Sequence, residues 1–255
     1  MKEIIFTYNL IYSKIKERFS KTSKNIFPLI RGFLILLLIR SLLAIMDTIF
    51  IQEEFPVQRI VFILSTALLI IGIEIGYTKF VFKLIDKAPS KLGDIFNYFH
   101  LLTKYIYGMI LYYLILVILF SPFIFYLFMQ YGFEFLEVIT HSILDPYVHA
   151  LASTYFNFNE LFIIALFCFI PAFYIGIRLY FWNYFIIDLE YDGLTAIKKS
   201  WALTQNKSFE LFVFGILFLL FNLLGALLLI GICFTMPISY LFFCLYFRHL
   251  MLIQK

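Results

Sequence analysis

The stretch that decides the fold is Asp188-Leu-Glu-Tyr-Asp-Gly-Leu-Thr-Ala-Ile-Lys-Lys-Ser-Trp-Ala-Leu-Thr-Gln-Asn-Lys207, a polar segment between two long apolar runs. Its residues Leu194, Ile197 and Trp201 follow the i, i+3, i+7 spacing that places side chains on one helix face. Each flanking run is roughly 20 residues long, enough to cross the ~30 Å hydrocarbon core of a bilayer. The pattern therefore predicts a short surface helix between two spanning helices, with Asp188, Lys198, Lys199 and Trp201 at the membrane interface.

The composition of the whole chain supports a membrane protein. Of its 255 residues 63% are hydrophobic and only 14% are charged, whereas soluble domains carry about 25% charged residues. The net charge of +4 comes without a clustered basic patch, so nucleic acid is not an expected partner. Cys168, Cys233 and Cys244 lie inside apolar runs without ligand-like spacing, and no cofactor is expected.

Six apolar runs predict an all-α, polytopic bundle of six transmembrane helices within one domain, residues 26–255. We expect them at about 27–51, 57–82, 104–129, 161–187 and 208–230, with the last ending near Leu252. Pro171 is expected to break the fourth span, and Gly231 with Pro237 to mark a tight reversal before the sixth.

Amphipathic segments complete this predicted domain plan. Residues 1–25 interleave basic and apolar positions at helical intervals, which predicts a basic helix on the membrane surface. Such a helix serves as a membrane-parallel anchor or as a sensor of anionic lipid. Further surface helices are expected near 89–103 and 192–206, and residues 130–160 form the longest polar connection, an external loop.

The distribution of basic residues predicts the orientation. Loops on the side of the N-terminus hold the lysines from Lys79 through Lys104, those from Lys198 to Lys207, and Arg248. The 130–160 connection on the other side has no Lys or Arg. By the positive-inside rule both termini face the cytoplasm of a bacterial inner membrane, in agreement with an even number of spans.

A weak internal repeat relates two parts of the chain. A shift of 102 residues aligns four pairs: Asp86 with Asp188, Leu92 with Leu194, Ile95 with Ile197, and Phe99 with Trp201. Each copy follows a span that descends to the predicted cytoplasmic side and precedes one that returns. We interpret the unit as span, surface helix, span, used twice in parallel as in some transporters.

The chain also resembles a family. The run Gly193-Leu-Thr-Ala-Ile-Lys-Lys-Ser-Trp-Ala-Leu-Thr-Gln-Asn206, and a last span ending Cys-Leu-Tyr-Phe-Arg248, are similar to uncharacterised bacterial membrane proteins that include the membrane domain of some glycerophosphodiester phosphodiesterases. The segment with Lys91-Leu-Gly-Asp-Ile-Phe96 resembles the same family's earlier cytoplasmic helix. Members often have Pro-Gly where this chain has Pro171-Ala172. The resemblance implies six spans and an unknown role, and because the catalytic domain is absent from this sequence, the phosphodiesterase activity does not carry over.

Charged residues inside the spans are the candidate binding site. Arg40, Asp47, Glu74 and Arg178 all fall within apolar runs, where charge is costly unless it faces the protein interior or a water-filled cavity. We expect Glu74 to pair with Arg40 or Arg178. Such a pair either holds helices together or belongs to a polar cavity for an anionic head group or small solute; alternatively the arginines snorkel to the interface.

The external loop contains the weak metal candidates Glu137, His141, Asp145 and His149, spaced every four residues. On one uninterrupted helix they would form a stripe able to bind zinc, but Pro146 favours a helix start there and a solvated loop instead. No catalytic motif is found.

These patterns predict a non-enzymatic inner-membrane protein that binds lipid or a membrane partner in envelope homeostasis. The alternatives are a transporter or channel for a small or amphipathic substrate, using the intramembrane charges, and an enzyme acting on lipid through the His141 and His149 loop.

Overall fold

The computed structural model describes residues 2–21, 26–50, 56–132, 158–228 and 231–253. All regular secondary structure in these ranges is helical. Six of their helical segments are long and apolar enough to cross a membrane. The predicted all-α, six-span class is therefore confirmed.

The helix bounds follow the apolar runs closely. In chain order the α-helices are α1 (Lys2–Lys21), α2 (Ile26–Phe50), α3 (Pro56–Ile85), α4 (Leu102–Tyr131), α5 (Phe158–Arg178), α6 (Trp182–Leu189), α7 (Gly193–Leu203), α8 (Ser208–Leu227) and α9 (Ile232–Ile253). Two short 3₁₀ turns, Leu92–Phe96 and Phe99–Leu101, stand between α3 and α4.

The surface helix expected near 89–103 is wrong in detail, because this segment forms the two 3₁₀ turns. The Asp94 carboxylate accepts from the backbone N–H of Lys91 at 3.3 Å and from Lys83 Nζ of α3 at 3.1 Å. The backbone thereby lies directly on α3: a Cβ added to Gly76 would come within 1.7 Å of the Ile95 carbonyl oxygen. The amphipathic pattern favours an α-helix here only weakly, because Gly93 lowers the helix propensity of the segment. Close contact with α3 therefore decides the local structure.

The fourth span is interrupted, but not at Pro171. Helix α5 runs through Pro171 to Arg178, and the chain breaks at residues 179–181 before α6. At this break the buried hydroxyl of Ser200 accepts the backbone N–H of Phe181 at 3.1 Å. The side chain that stabilises the break thus comes from α7, far along the chain.

Pro237 likewise lies inside α9 and not in the reversal before it. The reversal instead depends on small residues: a Cβ on Gly231 would lie 2.7 Å from the Gly225 carbonyl oxygen, and one on Gly225 would lie 2.3 Å from Thr235 Oγ1. Helices α8 and α9 therefore approach closely where they are joined.

Contacts divide the chain into two compact units, a larger one of Met1–Met109 with Phe181–Lys255 and a smaller one of Ile110–Tyr180. The core of the larger unit is aromatic and centres on Phe247, whose ring lies 5.1 Å from Phe185 and 5.8 Å from Phe82. In the smaller unit, buried Leu127 packs with Phe123, Phe128, Tyr131 and Leu161.

Candidate functional site

An ion pair joins two of the four predicted intramembrane charges. The guanidinium of Arg40 on α2 contacts the carboxylate of Glu74 on α3 within the larger unit. The side chains keep 48% and 29% of their surface exposed, so the pair is not enclosed. Thr78, one turn after Glu74, donates its hydroxyl to the Glu74 carbonyl at 2.8 Å and extends the polar strip toward the end of α3.

The other two predicted charges lie elsewhere. Arg178 is the last residue of α5 in the smaller unit, where its Nη1 donates to the Tyr174 hydroxyl at 3.1 Å and its guanidinium lies 5.9 Å from the Tyr174 ring. Asp47 lies on α2, and its side chain falls outside the described part of the structure.

A second charged cluster was not anticipated as a site. Arg248 near the end of α9 donates to both oxygens of Asp188, from Nη1 at 2.6 Å and from Nη2 at 2.9 Å. The same Nη2 donates to Asp86 at 2.6 Å, and the guanidinium lies 5.1 Å from the Phe82 ring centroid. We call Arg248, Asp86 and Asp188 the arginine clamp. It ties the ends of α3, α6 and α9 together.

The two aspartates of the arginine clamp are the first aligned pair of the internal repeat. Each aspartate lies just after the end of a predicted span, and Arg248 lies near the end of another. This recurrence of charged residues at span ends is the sequence signal that could have revealed the arginine clamp. Another aligned pair also matches in its environment, because Ile95 and Ile197 are both buried. The local structure differs, however, since one copy is built of 3₁₀ turns and the other is helix α7.

Two lysines complete the electrostatics around the end of α6. Lys79 Nζ donates to the Asp188 carbonyl at 2.8 Å, and Lys104 Nζ donates to the Glu190 carbonyl at 2.9 Å. Glu190 caps the helix in a left-handed conformation with φ of 58°. Cations at a helix C-terminus satisfy free carbonyl groups and complement the macrodipole. The arginine clamp and these lysines therefore fix the position of the C-terminal end of α6.

Helix α7 carries three of the predicted interfacial residues. Lys198, Lys199 and Trp201 are exposed on it, whereas Asp188 lies on α6 in the arginine clamp. Ile197, which shares the i, i+3, i+7 helix face with Leu194 and Trp201, is buried inside the protein and does not reach the surface. The helical face defined by the i, i+3, i+7 spacing is therefore shared between protein core and surface.

The start of α7 gives a pH-dependent prediction. Hydrogen bonds from the Thr195 side chain and its backbone N–H hold the pKa of Asp192, the N-cap, below its usual range. A depressed pKa means that the cap stabilises the helix above the unfolded-state pKa and that this contribution is lost as pH falls through the folded-state pKa.

We expect Asp192→Ala to speed amide exchange in the first turn of α7 several-fold at neutral pH, measured by hydrogen–deuterium exchange. Asp192→Asn, which keeps an acceptor, should change little, and equal effects of both would contradict the cap.

An apolar groove of about 800 Å³ runs between α1, α8 and α9. Helix α1 contributes Ile4, Ile5, Tyr8 and Tyr12, and the facing wall is mostly aromatic. Two further residues of α1, Thr7 and Ile11, are buried. On α8 the lining extends from Phe209 to Phe221, about 18 Å along the helix axis at 1.5 Å per residue. That length is close to one half of a ~30 Å hydrocarbon core.

The predicted metal candidates of the 130–160 connection, Glu137, His141, Asp145 and His149, lie outside the described residues. Among the residues that are described, no group of three or more His, Cys, Asp or Glu is placed to hold a metal ion. The arginine clamp, the Arg40–Glu74 pair and the groove are thus the features from which a function can be argued.

Comparison of this chain with family models, with curated proteins and with solved structures gives no match. The resemblance to the uncharacterised bacterial membrane proteins therefore stays a prediction from the quoted motifs.

Proposed function

We propose that this chain is a non-enzymatic, multi-pass protein of a bacterial inner membrane, with both termini cytoplasmic, that binds membrane lipid and serves an accessory or scaffold role in envelope homeostasis. The single observation that carries the proposal is the apolar groove. Multi-pass insertion is supported by the six long apolar helices, and the orientation is supported by the positive-inside distribution of Lys and Arg.

The groove suits an acyl chain for three physical reasons. The length of the groove is close to the thickness of one leaflet of the hydrocarbon core, and its lining consists of aliphatic and aromatic side chains. One of its walls is the amphipathic helix α1. Burial of hydrocarbon against such walls stabilises an acyl chain through close packing. The sequence of α1 is rich in Lys and Arg, and each cation near a membrane surface attracts anionic head groups by about 1 kcal/mol.

A substitution that fills the groove tests this proposal. Leu217→Trp adds an indole to a residue that lines the groove, so we expect several-fold less phospholipid to remain bound to the purified protein. The bound lipid is counted by native mass spectrometry after release from mild detergent.

The matched control is Leu219→Trp, which makes the same change at a more exposed residue of α8, outside the lining. It should retain the wild-type amount of lipid. Equal retention in both variants would show that lipid does not occupy the groove. If a protein subunit instead of lipid co-purified in stoichiometric amount, the result would favour a scaffold role that does not involve lipid binding.

The alternative is a transporter or channel-like protein, which the partly exposed Arg40–Glu74 pair favours. Such charges at mid-depth can line a water-filled path. In that case Arg40→Gln abolishes solute flux in proteoliposomes while the Leu217→Trp variant remains active. Flux that is absent from the wild-type protein with every solute class tested would remove this alternative.

A further inference from the structure

The Arg40–Glu74 pair lies deep in the predicted bilayer. Arg40 stands 14 residues after the start of α2 at Ile26 and 10 before its end at Phe50. These separations correspond to about 21 Å and 15 Å along the axis. Glu74 stands 11 residues before the end of α3, or about 16 Å. Arg40 and Glu74 therefore both lie well inside their helices, away from the helix ends.

The environment of the pair is open and built for close approach. Ala44 follows Arg40 by one helical turn, and Ala67 precedes Glu74 by two, so each lies on the face of its charged residue. Both alanines are exposed, as is nearly half of the Arg40 side chain. Small residues let helix backbones approach each other inside a membrane. Charge left open to hydrocarbon is costly, so a further polar partner at this face would stabilise the pair.

The charges themselves indicate which partner fits. One carboxylate offers two oxygens to the five N–H donors of Arg40, whereas Arg248 in the same protein is held by two carboxylates. A two-fold axis beside the pair would place Arg40 of each copy against Glu74 of the other, and each guanidinium would then meet two carboxylates. The face is self-complementary, as an isologous interface requires.

We infer that two copies of this chain associate through the face formed by Arg40, Ala44, Ala67 and Glu74, with reciprocal ion pairs between Arg40 and Glu74 across a two-fold axis. The inference does not depend on lipid binding in the groove, which is lined by other helices.

Charge reversal in trans tests the interface. Arg40→Glu gives a copy with two carboxylates at the face, and Glu74→Arg gives a copy with two cations. Each variant alone should lose self-association by about tenfold or more, whereas the two variants co-expressed should pair, because every contact between copies is again of opposite sign. Pairing is measured by co-purification of differently tagged copies and by subunit counting in nanodiscs.

Three further variants keep the test decisive if charge reversal impairs folding. Arg31→Glu makes the same reversal at another exposed residue of α2 and should leave association unchanged. In a background with the native cysteines replaced, Ala44→Cys should form a disulfide between copies in native membranes, and Leu219→Cys should not. The inference would be overturned if the wild-type protein were monomeric and the Ala44→Cys variant formed no cross-link between copies. It would also be overturned if the co-expressed charge-reversal variants folded but did not pair.

Discussion

Replacement of Arg248 by methionine destabilises the larger unit by about 3–5 kcal/mol, the range for breaking a buried ion pair by removing one partner. The variant keeps the length and apolar stem of the side chain but leaves Asp188 without its two charge-assisted hydrogen bonds. The Asp188 side chain is only 7% exposed, so water cannot replace them. The loss is measured as the free energy of unfolding in mixed micelles with increasing denaturing detergent.

The two carboxylates of the arginine clamp provide the internal comparison. Asp86 is 47% exposed against 7% for Asp188, and exposed ion pairs contribute only about 0–1 kcal/mol. Asp86→Asn should therefore cost at most about 1 kcal/mol, well below the cost of Asp188→Asn. Similar costs for both variants would show that burial does not govern the arginine clamp, and that the aligned aspartates are energetically equivalent.

Substitution of Gly76 by alanine is expected to destabilise the protein by about 3 kcal/mol, at the upper end of the range for overpacking. The added Cβ would lie 1.7 Å from the carbonyl oxygen of Ile95, which is main chain and cannot rotate away. The first 3₁₀ turn must lift from α3, and with it the Asp94 carboxylate that accepts from Lys83. The same detergent unfolding assay reports the loss, and hydrogen exchange locates it.

Gly93→Ala is the matched control for Gly76→Ala. Gly93 lies in the same 3₁₀ turn, and no atom is within 4 Å of its added Cβ. Surface substitutions of this kind usually change stability by less than about 0.5 kcal/mol. If Gly76→Ala proved as mild as Gly93→Ala, the close approach of this turn to α3 would be contradicted.

Apolar run length predicted the spans well, because a helix must keep about 20 apolar residues in hydrocarbon whatever its neighbours are. The same reasoning failed at the interruptions. Pro171 and Pro237 lie inside helices, whereas the chain breaks beside Phe181, whose backbone N–H donates to a serine 19 residues away. A partner so far along the chain leaves no local signal.

The candidate sites were likewise predictable only where a single segment carries the signal. The cost of charge in an apolar run singled out Arg40 and Glu74, and the ion pair between them depends on the packing of α2 on α3. The arginine clamp escaped detection because Asp86, Asp188 and Arg248 each lie at a helix end, where charged residues are common. The groove arises only when α1 packs against α9, since each of its walls alone is an ordinary apolar helix face.

The sequence by itself determined the helical class, the six spans and the asymmetry of charge, since hydrophobicity, length and charge are properties of each segment alone. The tertiary structure decided how the polar stretch from Asp188 to Lys207 is used. Asp188 belongs to the arginine clamp, Ser200 stabilises a distant break and Ile197 joins the core, leaving Lys198, Lys199 and Trp201 exposed. These roles depend on which distant residues come within hydrogen-bonding or packing distance, and only folding brings them there.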